Sequence, residues 1–179
     1  GVYSCSSATI TSESIVYCSG LYGCDQASIS ADDIIACDGS YGCRKADIDL
    51  GSNTAIECTG AYGCQEATIT KLRGSSGSLM CDGLGACSLA DIIYTTDIEC
   101  NGDYSCAQTV SIQTSNGDLY CNGISSCNSV NIAPGDLNKK NPSDRSSIYA
   151  NGDNSVFRGA ISAERIYGYG LLLMLISIF

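Results

Sequence analysis

The chain of 179 residues contains no histidine and no tryptophan, and only 2 proline, 2 phenylalanine and 2 methionine residues. Without histidine there is no Ser-His or Cys-His nucleophile pair, no imidazole acid–base chemistry and no His-based zinc site. Positive charge is scarce as well: 9 Lys+Arg stand against 19 Asp+Glu, a formal net charge of −10. Nucleic acid is therefore excluded as a partner, because phosphate binding needs a basic face, and anionic membrane surfaces are disfavoured for the same reason. No Asn-x-Ser/Thr sequon with a permitted middle residue occurs, so N-glycosylation is not expected. No long segment has helical periodicity. Apolar residues still make up 44% of the chain, too many for disorder. An ordered, acidic protein with few catalytic options remains, and no cofactor or metal is expected.

Against these gaps stand 20 Gly, 11 Tyr and 13 Cys. Twelve cysteines form six pairs with one spacing, Cys-x5-Cys: Cys18/Cys24, Cys37/Cys43, Cys58/Cys64, Cys81/Cys87, Cys100/Cys106 and Cys121/Cys127. Zinc sites favour two to four intervening residues and nearby His, so the pairs read as disulfides made in an oxidising compartment, extracellular or at the cell surface. Pairing within each copy leaves Cys5 alone; pairing between copies, Cys5–Cys18 and Cys24–Cys37 onward, leaves Cys127. The first scheme is preferred, because the five-residue gap never varies and because Ala150 and Val156 replace both members of one pair together. Cys5 then belongs to an array trimmed before Gly1, the preferred reading, or bonds to another molecule.

Each pair sits in one frame: aliphatic-x-Cys-x-Gly-x-x-x-Cys-x-x-small-x-Ile. Copies run from Val16 to Ile29, Ile35 to Ile48, Ile56 to Ile69, Leu79 to Ile92, Ile98 to Ile112 and Leu119 to Ile132. In the copy ending at Ile112 the last apolar pair, Val110 and Ile112, comes one residue late, which implies a bulge. The last Cys-containing coil ends near 132. A degenerate coil covers 148–161, and the C-terminal stretch 166–179 fits the template with Gly168 and Met174 at the Cys places. Residues 1–165 are thus assigned to the repeats and 166–179 to an apolar coil or tail.

Within a copy the inward positions recur every second residue, the strand signature. Polar neighbours flank the inward Ile: Thr9 and Thr11, Ser28 and Ser30, Asp47 and Asp49, Thr68 and Thr70. The Cys-x-Gly step reads as a turn in which Gly supplies positive φ and the polar residue closes a local bond. A unit of about 20 residues with short strands and turns is one coil of a parallel β-solenoid. The fold expected is all-β, a parallel β-solenoid (β-helix) of about eight coils with intra-coil disulfides, a rod of about 40 Å. Tyr3, Tyr22, Tyr41, Tyr62 and Tyr104 should form a column broken by Gly85 and Ser125, read as structural stacking, with a sugar-binding strip as the alternative. Length variation collects at 52–54, 73–78 and 133–147, all at one corner, the side expected to meet partners or glycans.

The tail Leu171, Leu172, Leu173, Met174, Leu175, Ile176, Ser177, Ile178 and Phe179 is apolar on both strand faces, and such a coil does not stay exposed to water. It is read as an assembly interface covered by another subunit. A glycolipid-anchor signal and the start of a membrane span are the alternatives, the 14 uncharged residues from Ile166 being short of the roughly 20 a span needs. Head-to-tail contact between unlike ends propagates into filaments.

The unit Cys37-Asp38-Gly39-Ser40-Tyr41-Gly42-Cys43-Arg44-Lys45-Ala46-Asp47-Ile48 resembles the cysteine-rich β-helix repeats of secreted and surface proteins of algae and other protists. The resemblance covers nearly the whole chain. It implies a parallel β-helix with an extracellular structural role, as in flagellar hairs (mastigonemes) or other surface fibres, and it brings no catalytic residue. The functional expectation is therefore a non-enzymatic structural rod that associates end to end with itself or with another surface-fibre protein, its Ser/Thr-rich edges open to O-glycans. The alternative is a membrane-anchored adhesin or carbohydrate-binding surface protein. An enzyme built on Asp38, Asp82, Asp47, Asp49 and Arg44 is weighed lower, as acidic residues spread over all coils read as a solvated face. Ice binding through Thr-x-Thr rows is also weighed lower, because Asp47 and Asp49 interrupt the row.

Overall fold

The computed structural model describes residues 1–51, 54–71, 77–94, 96–114, 117–133, 147–153, 157–158 and 166–168. Its strands alternate along the chain: β1 Thr9–Ser12, β2 Ile15–Tyr17, β3 Ser28–Ala31, β4 Ile34–Ala36, β5 Asp47–Leu50, β6 Ala55–Cys58, β7 Thr68–Lys71 and β8 Leu79–Cys81. They continue as β9 Asp91–Tyr94, β10 Ile98–Cys100, β11 Ser111–Thr114, β12 Leu119–Cys121, β13 Val130–Ala133, β14 Ile148–Ala150, β15 Phe157–Arg158 and β16 Ile166–Gly168. Odd strands form one eight-stranded sheet in the order β1-β3-β5-β7-β9-β11-β13-β15, and even strands form a second. Every pairing is parallel and joins one copy of the repeat to the next. The fold is an all-β parallel β-solenoid.

Register follows the sequence frame. Ile10, Ile29, Ile48, Ile69, Ile92 and Ile112 lie opposite one another along the odd sheet. Val16, Ile35, Ile56, Leu79, Ile98, Leu119 and Ile148 do so along the even sheet. Ile48, Ile56, Ile69, Ile92 and Ile98 are fully buried. Each such side chain contributes about 2–3 kcal/mol of transfer free energy, so two columns of them supply the core of a thin rod. β-branched residues suit these positions because they pack well on a pleated surface. Thr9, Ser28, Asp47 and Thr68 occupy the alternate, exposed positions.

The cysteine segments build a third wall. There the backbone alternates between bonds inside its own turn, such as Gly42 N–H to Gly39 O at 2.9 Å, and bonds to the next coil, such as Cys43 N–H to Gly63 O at 2.6 Å. Two left-handed residues per turn make this path. The first is Tyr3, Tyr22, Tyr41, Tyr62, Gly85, Tyr104 or Ser125, with φ between 52° and 59°. The second is Ser7, Gln26, Lys45, Glu66, Leu89, Gln108 or Ser129. Disulfides Cys18–Cys24, Cys37–Cys43, Cys58–Cys64, Cys81–Cys87, Cys100–Cys106 and Cys121–Cys127 close the turn on the core side, each across six residues and with Cα atoms 5.4 to 5.9 Å apart. This is the within-copy scheme. Cys5 is a free, exposed thiol.

Two local expectations are corrected. The glycine after the first cysteine is not there for positive φ: among the described residues of that column only Gly20 has it. The reason is steric. A Cβ on Gly39, Gly60, Gly83 or Gly123 would lie closer than 3.0 Å to the carbonyl oxygen of the glycine one coil below. Nor does the preceding polar side chain close a local turn throughout. Asn122 Nδ2 donates to Asn101 Oδ1 at 2.7 Å, and Asn151 Nδ2 donates to Asn122 Oδ1 at 2.9 Å, an amide ladder along the axis. The second correction concerns the late copy. The extra residue is Val110 itself, which turns outward and is 60% exposed, while Thr109 takes the inward place held elsewhere by Ala67 or Ala90. β11 then resumes the register, Ile112 opposite Ile92. An outward bulge keeps the isoleucine column intact, at the cost of one apolar side chain in water.

The degenerate copy keeps the frame: Ala150 pairs with Cys121, is 1% exposed, and pairs in turn with Gly168. Val156, the interface candidates Leu171, Leu172, Leu173, Met174, Leu175, Ile176, Ile178 and Phe179, and most of the three variable inserts lie outside the described residues.

Candidate functional site

The most organised surface feature is the tyrosine column on the third wall. Rings of Tyr3 and Tyr22 are 4.8 Å apart with planes 3° from parallel; Tyr22 and Tyr41 are at 5.0 Å and 13°, Tyr41 and Tyr62 at 5.2 Å and 10°. The repeat places them: each tyrosine sits two residues before the second cysteine of its copy. A left-handed conformation costs a non-glycine residue about 1–2 kcal/mol. A stacked aromatic pair returns about 0.5–1.5 kcal/mol, so stacking offsets most of the backbone cost. The column ends at Gly85, which has no ring and whose φ of 59° matches the tyrosines; Tyr62 occupies the space a side chain there would fill, its Cε1 2.6 Å from where a Cβ would lie. The stack directs ring faces at one another, with Tyr3 exposed and Tyr22, Tyr41 and Tyr62 half-buried. A sugar that binds by lying on an aromatic face would find the inner faces of this column already covered.

Arg44 packs beside the column, its guanidinium carbon 4.9 Å from the Tyr22 ring centroid and 5.7 Å from that of Tyr41. The same side chain holds Asp25 one coil below, with Nε at 2.8 Å from Oδ1 and Nη2 at 3.1 Å from Oδ2. Gln26 Nε2 adds a bond to Asp25 at 3.1 Å. The Asp25 side chain is only 3% exposed. The hydrogen bonds from Arg44 outweigh burial and hold its carboxyl below the ordinary value, while Asp25 raises the pKa of Arg44. A depressed folded-state pKa stabilises the fold above the unfolded carboxylate value of about 3.9 and is lost as pH falls through the folded value. Asp25→Asn is therefore expected to flatten the acid limb of a stability-against-pH curve below about pH 4. An unchanged slope in denaturant melts across that range would contradict this role.

A second aromatic pair, Tyr120 and Tyr149, stacks at 4.9 Å and 7° on the even sheet. Burial, and then the charge of Asp118 and Asp97, pushes the Tyr120 phenol up from its ordinary pKa. Behind the tyrosine wall, sulfurs of successive copies approach one another: those of Cys18, Cys37 and Cys43 lie within 4.8 Å. Metal binding needs thiolates, and these sulfurs are joined in disulfides. Removing one staple by Cys58→Ala with Cys64→Ala should lower stability by about 2 kcal/mol on the chain-entropy estimate for so small a loop. Ala150 shows that alanine fits this column. A thermal melt of the double variant beside Cys5→Ser, expected to be neutral at an exposed thiol, checks it.

The carboxylates weighed for catalysis do not converge on Arg44. Asp47 and Asp49 share the outer face of β5, Asp38 and Asp82 follow the first cysteine of their copies, all four are exposed, and Arg44 is committed to Asp25. Lys45 pairs with Glu66 at 3.5 Å, both about half exposed, an interaction of little energetic weight. Sequence reading missed the Arg44–Asp25 pair because its partners are 19 residues apart and meet only when coils stack.

Fold and faces together define the class: a cysteine-rich parallel β-solenoid whose coils are each closed by a buried disulfide. The six disulfides fit an oxidising, non-cytoplasmic environment. No family model, curated protein or solved structure matches the chain.

Proposed function

We propose that the protein is an extracellular or cell-surface structural rod, non-catalytic, that assembles end to end into a filament or surface fibre of the mastigoneme-like kind. The observation that carries the reading is the axial register: parallel ladders join each described copy to the next, with an aromatic stack from Tyr3 to Tyr62 and an amide ladder through Asn101, Asn122 and Asn151 laid along the same axis, a geometry that propagates by adding coils. The repeat frame extends this to eight coils. The apolar stretch 171–179 is the proposed contact to a second copy or another fibre protein, and the Ser/Thr edges are the proposed O-glycan sites. Electron microscopy of unreduced protein tests the reading. Filaments with an axial repeat near the rod length support it. Dispersed single rods reject end-to-end assembly and transfer the weight to a membrane-anchored adhesin or carbohydrate-binding protein, to be followed by glycan arrays. A variant lacking 170–179 is expected to form no filaments.

A further inference from the structure

All six disulfides join cysteines within one coil, six residues apart. They stiffen each turn, yet none ties a coil to the next. Cohesion along the axis rests on hydrogen bonds, side-chain packing and the single chain passing from coil to coil. The groups best placed to add an axial covalent bond are the stacked tyrosines. Tyr3, Tyr22, Tyr41 and Tyr62 come from four successive copies, their rings are 4.8, 5.0 and 5.2 Å apart, and their planes are within 13° of parallel. Tyr3 is 56% exposed, and Tyr22, Tyr41 and Tyr62 are half-buried with part of each ring at the surface. An oxidant therefore reaches the ring edges while the backbone ladder holds neighbouring rings together.

We propose that this ladder is a site of oxidative modification, in which adjacent tyrosines couple into dityrosine and link successive coils covalently. The co-reactant is a one-electron oxidant of the haem-peroxidase class working with hydrogen peroxide. It removes an electron and the phenolic proton from each of two neighbouring tyrosines. The two phenoxyl radicals join through ring carbons ortho to oxygen, and each of those carbons then loses its hydrogen as the phenol re-forms. One carbon–carbon bond forms and two ring carbon–hydrogen bonds break. The two protons and two electrons released reduce one hydrogen peroxide to two waters. The oxidising setting that six disulfides imply suits this chemistry. Tyr120 and Tyr149, also adjacent along the axis at 4.9 Å, should couple for the same reason.

The column contains its own control. Tyr104 is 50% exposed and lies at the equivalent place, but its axial neighbours are Gly85 and Ser125. Tyr17 is 68% exposed and lies opposite Ala36. Exposure alone would put Tyr17 first and Tyr104 close behind Tyr3, both ahead of the half-buried Tyr22, Tyr41 and Tyr62; adjacency would leave Tyr17 and Tyr104 out of intramolecular links.

The test treats dilute, unreduced full-length protein with a haem peroxidase and hydrogen peroxide, and follows dityrosine fluorescence and cross-linked peptides. The expected result is links at Tyr3–Tyr22, Tyr22–Tyr41 or Tyr41–Tyr62, at a yield independent of protein concentration. Tyr104 and Tyr17 should enter only concentration-dependent links between molecules. Tyr22→Phe with Tyr41→Phe keeps the stacked rings and removes every adjacent pair of phenols, so the ladder links should be lost while Tyr120–Tyr149 links persist. Circular dichroism of the unoxidised variant confirms that it folds. Links that all scale with concentration, or that favour Tyr104 and Tyr17 within one molecule, would overturn the proposal. So would a folded double variant that retains intramolecular links involving Tyr3 or Tyr62.

Discussion

Gly60→Ala is expected to lower stability by about 3 kcal/mol, at the upper end of the usual cost of overpacking. The added Cβ would meet the Gly39 carbonyl oxygen and carbon, both below 3.0 Å, and both are backbone. A side chain can swing aside, but here the coil spacing itself would have to open. That spacing is held by hydrogen bonds on either side, such as Gly60 N–H to Cys37 O at 3.1 Å and Tyr62 N–H to Leu84 O at 2.8 Å. Opening one step weakens the neighbouring steps together, because stability in a stacked repeat is a sum of coil and interface terms. The control is Gly63→Ala, three residues on. Its Cβ would be 2.7 Å from the Cys37 oxygen, but Ala86, Ser105 and Ser126 occupy the equivalent place in other coils, so the wall accommodates a Cβ there. The expected cost is clearly smaller. Denaturant melts of both variants, with amide exchange read on the coils either side of residue 60, decide the matter. Equal destabilisation by the two would sink the steric account.

Ile48→Ala should cost about 2–5 kcal/mol. Ile48 is fully buried in β5, directly between Ile29 of β3 and Ile69 of β7. Its neighbours cannot collapse into the void, because each is fixed at its own level by a parallel ladder. The same change at Asp47, one residue away on the outer face and exposed, is expected to fall within about 0.5 kcal/mol of the parent. Chemical denaturation measures both. A cost below 1 kcal/mol at Ile48 would mean that the column is not the core of this rod.

Much of this architecture was legible because a solenoid is nearly one-dimensional. A residue's axial neighbours are its equivalents in the copies before and after, so aligning copies on their cysteines also aligns the columns. That is why Ile29, Ile48 and Ile69, or Tyr22, Tyr41 and Tyr62, fall into groups by their place in the repeat alone. The frame failed where equivalence of position does not dictate direction or distance. In the copy with one extra residue, either Thr109 or Val110 could have pointed inward. Hydrophobicity and alternation with Ile112 favoured Val110; the fixed three-residue step from the second cysteine, Cys106 to Thr109 as Cys87 to Ala90, favoured Thr109, and the step from the cysteine prevailed. Glycine after the first cysteine looked like a turn residue because that is its commonest reason to appear, whereas the actual constraint is the backbone of a residue about 20 positions earlier.

The sequence by itself therefore determined the all-β class, the repeat length, which residues share a column and the regular cysteine spacing, since all of these follow from period-two alternation and a constant gap of five. Only the tertiary structure decided the distance between coils, and with it the glycine requirement, the amide ladder and the Arg44–Asp25 pair that reaches across one step. It also decided that the tyrosines adopt left-handed backbone and stack face to face. The physical reason is that these depend on how closely two backbones approach, a separation set by parallel hydrogen bonding between copies and not encoded in any one copy.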